Sequence, residues 1–209
     1  PTAERFHFEN GLMDLVKANT VLEYNITNDY FTGSADFKEK FDPREKGSIQ
    51  RCACFNTYNP TSKSFCNTIP TSDGGTHESG FLNAIVKGFK SYIELIGDKK
   101  FSAINKDDVQ EILSSSISVF VENPQFVGQT KDKLSNVEVQ KKVEGIIKDR
   151  FENWLANDKS RTLLLIENLR IRAEERIKSK QKKETLRKTP LKRLMLPCKL
   201  ADCSIADKE

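Results

Sequence analysis

The spacing of apolar residues changes repeatedly along this chain, and each change predicts a new element. In VLEYNIT, Leu22, Tyr24 and Ile26 alternate with Glu23 and Asn25, the pattern of a half-buried strand. Residues 30–47 are polar and predict a loop. Two β-like runs follow, GSIQRCACFNTY and SKSFCNTI, and the intervening NPTSK suits a hairpin. Past TSDGG the period becomes helical, through Leu82, Ile85, Val86, Phe89, Ile93 and Ile96, with an end near Gly97. NKDDVQEI predicts a short helix. ILSSSISVFVEN predicts a strand, in which Ile117, Val119 and Val121 alternate with Ser116, Ser118 and Phe120. One amphipathic helix then runs from about Asn136 to Ala156, with Val139, Val143, Ile146, Ile147, Phe151 and Trp154 on one stripe. Another starts near Asp158, carries Ile166, Leu169, Ala173 and Ile177, grows steadily more basic and ends by Pro190. The first 19 residues form a strap in which Phe6, Phe8, Leu12 and Leu15 can dock. No internal repeat is present. This order predicts an α/β or α+β layer, with a mixed sheet and helices on one face.

Bulk properties narrow the class. The 209 residues suffice for one sizeable domain with a tail, and 37% hydrophobic with 31% charged residues suits a soluble globular body. No apolar run approaches the roughly 18 residues of a membrane span, and the amino terminus has no signal-peptide pattern. The start at Pro1, without methionine, suggests a piece of a longer protein. The net charge of +4 is uneven: Arg170 to Lys199 holds twelve Lys or Arg against three acids, a local +9, which leaves −5 for the rest. That split predicts a basic arm with a polyanionic partner. Cysteines stand at 52, 54, 66, 198 and 203. Cys52 and Cys54 should share a strand face. The spacing lacks the paired C-x-x-C of structural zinc, so reduced structural thiols and no metal site are expected.

One loop carries chemistry. In NPQFVGQTKDKLS (123–135), Asn123-Pro124 forces extended backbone and Gly128 permits a positive φ. Gln129, Thr130 and Lys131 then present an amide, a hydroxyl and an ammonium in a row. From the local chemistry alone, a solvated turn with a spare lysine is the favoured reading, since loop lysines are usually just exposed. In GGTHESGF, Gly74-Gly75 gives a tight turn, Thr76 suits a helix N-cap and Glu78 suits the first turn. His77 therefore reads as packed or capping rather than catalytic, and His7 carries less signal still.

Three segments in order, IPTSDGGTHESGF (69–81), NPQFVGQTKDKLSN (123–136) and LPCKLADCS (196–204), resemble the transducer region of the B subunit of bacterial type IIA topoisomerases. The resemblance runs from about Phe6 to the carboxyl end. Within the family, KTPLKRLMLPCKLADCS and CNTIPTSDGG look more like the topoisomerase IV branch, of an α-proteobacterial type, than the gyrase branch. Cys198 stands where the family pattern has glycine.

The resemblance implies a transducer fold, a β-α layer with a left-handed crossover and long C-terminal helices, against the usual right-handed rule. It implies residues 1–19 as a strap from an ATPase domain, 20–188 as the transducer domain, and 189–209 as a linker toward a metal-binding TOPRIM domain. Gln129 and Lys131 would touch the γ-phosphate of ATP bound to the neighbouring domain. Arg170, Arg172 and Arg176 would contact double-stranded DNA. The intact enzyme would use ATP and Mg2+, with none expected on this piece alone, which carries no catalytic residue and no metal ligand. Its partners would be duplex DNA, its own dimer mate and the A subunit in an A2B2 heterotetramer, in the bacterial cytoplasm at the nucleoid and with no membrane contact. The implied activity is ATP-dependent strand passage, relaxation and decatenation for chromosome segregation. The alternatives are the B subunit of a DNA gyrase, which introduces negative supercoils, and a stand-alone nucleic-acid-binding adaptor with a basic helical arm.

Overall fold

The computed structural model describes residues 8–38, 46–97 and 104–188. Phe6, His7, Pro190 and the 196–204 motif with Cys198 and Cys203 lie outside the described residues. In chain order the elements are α1 (Leu12–Ala18), β1 (Phe31–Lys38), β2 (Lys46–Phe55), β3 (Ser62–Cys66), β4 (Ile69–Pro70), α2 (Thr76–Ile96), α3 (Lys106–Gln110), β5 (Leu113–Phe120), α4 (Val137–Asn157) and α5 (Lys159–Lys188). The strands make one mixed sheet in the order β1-β2-β5-β3-β4. β5 sits at its centre, antiparallel to β2 and parallel to β3.

Position explains the serine-rich sequence of β5. Leu113 through Val119 are all buried, so both faces of the strand are covered. Small hydroxyl side chains fit there, and two of them find partners, whereas the buried Ser116 Oγ has none among the described residues. Ser114 Oγ accepts from the Thr61 N–H at 3.2 Å, and Ser115 Oγ lies 3.2 Å from Ser62 Oγ. On β2 the alternation separates two cores. Ile49, Ala53 and Phe55 join the main core with α2, α4 and α5, while Cys52 and Cys54 lie under Val16, Leu12 and Met13 of α1. These two cysteines do share a face. Burial pushes their thiols up to about 12 and about 11, which leaves them protonated and inert.

The main core is aromatic. Phe89 meets Phe151 edge-on at 5.1 Å and Phe55 at 5.6 Å, and Phe31 meets Phe151 at 5.1 Å. Gly80 lets α2 and α4 approach closely, since a Cβ there would stand 2.6 Å from the Gln140 carbonyl oxygen. Arg51 is buried beside this core with its guanidinium 4.5 Å from the Phe31 ring centroid. Burial, and then the nearby Arg150, lower it to about 10. At the start of α5, Asp158 Oδ1 accepts the Arg161 N–H at 3.0 Å, and the Arg161 guanidinium lies 3.7 Å from the Trp154 ring centroid.

By contacts the chain divides into two compact units, 1–173 and 174–209, with the division inside α5. The first holds the sheet, and Leu165, Ile166, Leu169 and Ala173 of α5 are buried in its core. The second, described as far as Lys188, is helical and pairs Lys178 with Glu174 at 3.9 Å.

Four expectations are corrected. VLEYNIT is not a strand: Leu22–Tyr24 is a 3-10 turn, Tyr24 stacks on Tyr58 at 4.8 Å, and only Ile26 packs on the core. The polar stretch after Tyr30 contains strand β1, in which only Phe31, Ala35 and Phe37 are buried among the described side chains and Gly33 is exposed. β2 and β3 form no hairpin, because β5 lies between them. Finally, Gly75 rather than Thr76 occupies the N-cap of α2, with no side-chain cap.

Candidate functional site

The loop after β5 is a short hairpin built on the core. Phe126 and Leu134 face each other across an antiparallel bridge, and the Val127 N–H bonds to the Lys133 carbonyl at 2.8 Å. Asn136 stitches the shoulders together: its Oδ1 accepts the Gln125 N–H at 2.6 Å and its Nδ2 donates to the Asn123 carbonyl at 3.1 Å. Leu134 is 1% exposed, so the polar loop is pinned by one apolar side chain in the core.

That pin meets the glycine pair. Leu134 bridges to Gly75 in parallel register, its N–H bonding to the Gly74 carbonyl at 3.3 Å and its carbonyl accepting the Thr76 N–H at 3.0 Å. Gly75 has φ 143, and a Cβ there would stand 2.5 Å from the Leu134 oxygen. The Asp73 N–H adds a bond to the Asp132 carbonyl at 3.0 Å. Two of the motifs singled out in the sequence are therefore one structural unit.

The tip of the hairpin is exposed. Gly128 has φ 77, as expected, and Lys131 has φ 61, a left-handed conformation that costs a non-glycine residue about 1 kcal/mol or more. Gln129, Thr130 and Lys131 are all exposed. Among the described residues, neither Gln129 nor Lys131 has a side-chain hydrogen bond or ion pair. The loop holds an amide and an ammonium outward with nothing of its own to bind. They could meet a phosphate oxygen, but two exposed side chains do not enclose a nucleotide.

Beneath the glycine turn lies a buried polar network. Ser64 Oγ is 2.7 Å from Thr71 Oγ1 and 3.1 Å from Glu78 Oε2, and Thr71 Oγ1 is 3.2 Å from His77 Nε2. His77 is fully buried, and burial pulls its imidazole down to about 4. It is neutral and packed.

The basic residues are already partnered in part. Arg170 forks onto Glu167 at 3.0 and 2.5 Å, a bond that holds the Glu167 carboxyl below its ordinary range. Arg172 reaches the Thr57 carbonyl at 3.4 Å and Glu111 at 3.9 Å. Arg176 belongs to the second unit. Glu167 was visible in the sequence three residues before Arg170. The roles of Leu134 and Asn136 were not, because their partners are distant in the chain. Among the described residues no cluster of three or more metal-ligating side chains exists, and no helix is long and apolar enough to cross a membrane.

The chain matches the DNA gyrase B family over residues 11–185. It is 40% identical to the B subunit of DNA topoisomerase 4 from Bartonella bacilliformis over 98% of this chain and 29% of that protein. It is also 40% identical to the B subunit of DNA gyrase from Mycoplasma genitalium, over 72% of this chain and 24% of that protein. The chain thus spans less than a third of the length of these relatives. Among solved structures it resembles the topoisomerase IV ATP-binding domain of Francisella tularensis (TM-score 0.66, 30% identity, 82% of this chain and 45% of that one). It also resembles the 43K ATPase domain of Thermus thermophilus gyrase B (TM-score 0.71, 25% identity, 85% and 46%).

Two outcomes follow from the geometry. Gly75→Ala combines a disfavoured φ with a backbone clash, so it should destabilise by about 3 kcal/mol in urea and speed amide exchange at Leu134. A variant of unchanged stability would show that the loop is not clasped here. The second outcome concerns His77. Unfolded, it takes up a proton near pH 6.5, and folded, only near pH 4. Its contribution is complete above pH 6.5 and falls away as pH drops to 4, by about 3 kcal/mol. Urea melts at pH 7, 5.5 and 4 should show a correspondingly shallower fall in His77→Gln. Equal falls would place the titration elsewhere.

Proposed function

This chain belongs to the DNA gyrase B family of type IIA topoisomerase B subunits, and we propose that it is the transducer segment of such a subunit, of the topoisomerase IV branch. In the intact enzyme it relays ATP binding and hydrolysis to DNA strand passage, relaxation and decatenation. The observation that carries this reading is the mounting of Gln129 and Lys131, exposed and unpartnered on a hairpin pinned by Leu134. Support for topoisomerase IV over gyrase comes from coverage: the Bartonella match takes in 98% of the chain and the Mycoplasma gyrase match 72%. On this reading residues 20–188 are the transducer, 1–19 a strap and 189–209 a linker.

ATP, when bound to the neighbouring domain, supplies a terminal phosphate. The Lys131 ammonium and Gln129 amide meet that phosphate from outside its pocket. An ammonium suits this as a compact charge, and charge-assisted bonds are roughly twice as strong as neutral ones. The contact exists with triphosphate and vanishes with diphosphate, so it biases the arrangement of the two domains by nucleotide state. The hairpin transmits that bias because its base is bonded to the start of α2. The metal of the intact enzyme, Mg2+, finds no ligand set among the described residues, and no step here runs through it.

Duplex DNA is the second partner. The one-signed charge from Arg170 onward favours phosphate contact without base readout. Arg170, Arg172 and Arg176 are the proposed contacts, and Arg170 must exchange Glu167 for a phosphate. The dimer mate and the A subunit complete an A2B2 enzyme of the bacterial cytoplasm.

In the full-length subunit, Lys131→Ala should lower ATP turnover by roughly tenfold to a hundredfold, the value of one missing charged hydrogen bond, with an unchanged fold. Wild-type turnover would remove Lys131 from the site. Replacing Arg170, Arg172 and Arg176 with Gln should weaken duplex binding regardless of sequence. It should also flatten the log–log salt slope by about 0.9 for each phosphate that the variant no longer neutralises. A slope unchanged across a salt series would leave these arginines as a solvated face.

A further inference from the structure

A cleft of about 520 Å³ opens beside the glycine turn, a volume within the usual range for small ligands. Its walls are the outer edge of β3, the turn from Pro70 to Gly75, the first turns of α2, α3, and Lys133 of the hairpin stem. Three lysines on three separate segments border it: Lys63, Lys106 and Lys133. Among the described residues none of the three has an ion pair or side-chain hydrogen bond. Two carboxylates share the lining: Glu78, whose Oε2 accepts from the Ser64 hydroxyl at 3.1 Å, and Asp73, whose carboxylate has no side-chain hydrogen bond or ion pair among the described residues. β4 pairs only with Phe65 and Cys66, so Ser62 and Lys63 have no strand neighbour on the cleft side.

We infer that this cleft binds a small phosphate-bearing molecule with free hydroxyls, of the sugar-phosphate class. Three lysines without an ion pair outnumber the two carboxylates of the lining, and lysine binds phosphate as a point charge. The hydroxyls of such a ligand supply donors for Asp73 and partners for the serines and the open backbone of β3. A double-helical nucleic acid is too wide for a cavity of this volume, which favours the small molecule over DNA. The inference is independent of the γ-phosphate reading, because Gln129 and Lys131 do not line the cleft. A ligand held by Lys63, Lys106 and Lys133 ties the hairpin stem to the sheet and to α3, so occupancy stiffens the mounting of the loop tip.

The test is amide NMR of this chain titrated with ribose 5-phosphate, inorganic phosphate, ribose and a short DNA duplex. Ribose 5-phosphate should give saturable shifts at Ser72, Asp73, Gly74 and Lys63, about tenfold tighter than inorganic phosphate, with none from ribose. Exchange of the Val127 and Leu134 amides should slow on binding. All three lysines are exposed, so their replacement leaves the core intact. Lys63→Gln combined with Lys133→Gln should weaken binding roughly tenfold or more, whereas Lys141→Gln on α4 should not. No saturable shift, or equal weakening by Lys141→Gln, would overturn the site. Duplex DNA displacing ribose 5-phosphate at these amides would overturn the small-molecule assignment.

Discussion

The contact of Leu134 with Gly75 is the constraint on which the site depends. Leu134 is the one buried side chain at the base of an exposed tip, and its backbone bonds to both sides of the glycine turn. No other residue fits at Gly75, since any Cβ would strike Leu134 backbone. The turn in turn starts α2, and Gly80 one helical turn on brings α2 against α4. Displacement of the tip must therefore bend a short hairpin, break the clasp or move α2 with the sheet. Packed interiors resist small continuous deformation, so the third route moves a body rather than a side chain.

This arrangement also explains why the polar network beneath the turn is buried. Ser64, Thr71, His77 and Glu78 join β3 to the first turn of α2 through hydrogen bonds rather than apolar contacts. Buried polar groups favour the arrangement that pairs them, as Ser64, Thr71, Glu78 and His77 Nε2 are paired here, although the buried His77 Nδ1 has no partner among the described residues. His77 contributes as the neutral imidazole. A charged imidazole there would have no carboxylate partner, since Glu78 is turned onto Ser64.

The long helices and β5 were legible in the sequence because their signals are local. The period of α2 and α4 carries their inward stripe, and Asn105, whose side chain accepts the Asp108 N–H, caps α3 within the run that predicted it. β1 was missed because only Phe31, Ala35 and Phe37 of its described side chains are buried, among glycine and polar positions, which depresses the apolar count of a real edge strand. The supposed β2–β3 hairpin failed for a different reason. Insertion of β5 between the two is a pairing across about 50 residues, and no local turn signal encodes it. The site divides the same way. The tip residues and the glycine pair each stood out as motifs, but their junction at Leu134 joins segments about 60 residues apart. The proposed link between loop and phosphate rests on family resemblance, since composition and spacing do not carry it.

The basic arm shows sequence and packing changing at the same place. Leu165, Ile166, Leu169 and Ala173 are buried in the first unit, and Ala173 is the last residue of that unit. From Glu174 the apolar spacing of the sequence is interrupted and lysines accumulate. Arg170 and Arg172 stand just before this change and are held by Glu167, Glu111 and the Thr57 carbonyl. These contacts are exposed, and exposed pairs contribute little beyond about 1 kcal/mol each. A phosphate can therefore displace them without a large opposing cost.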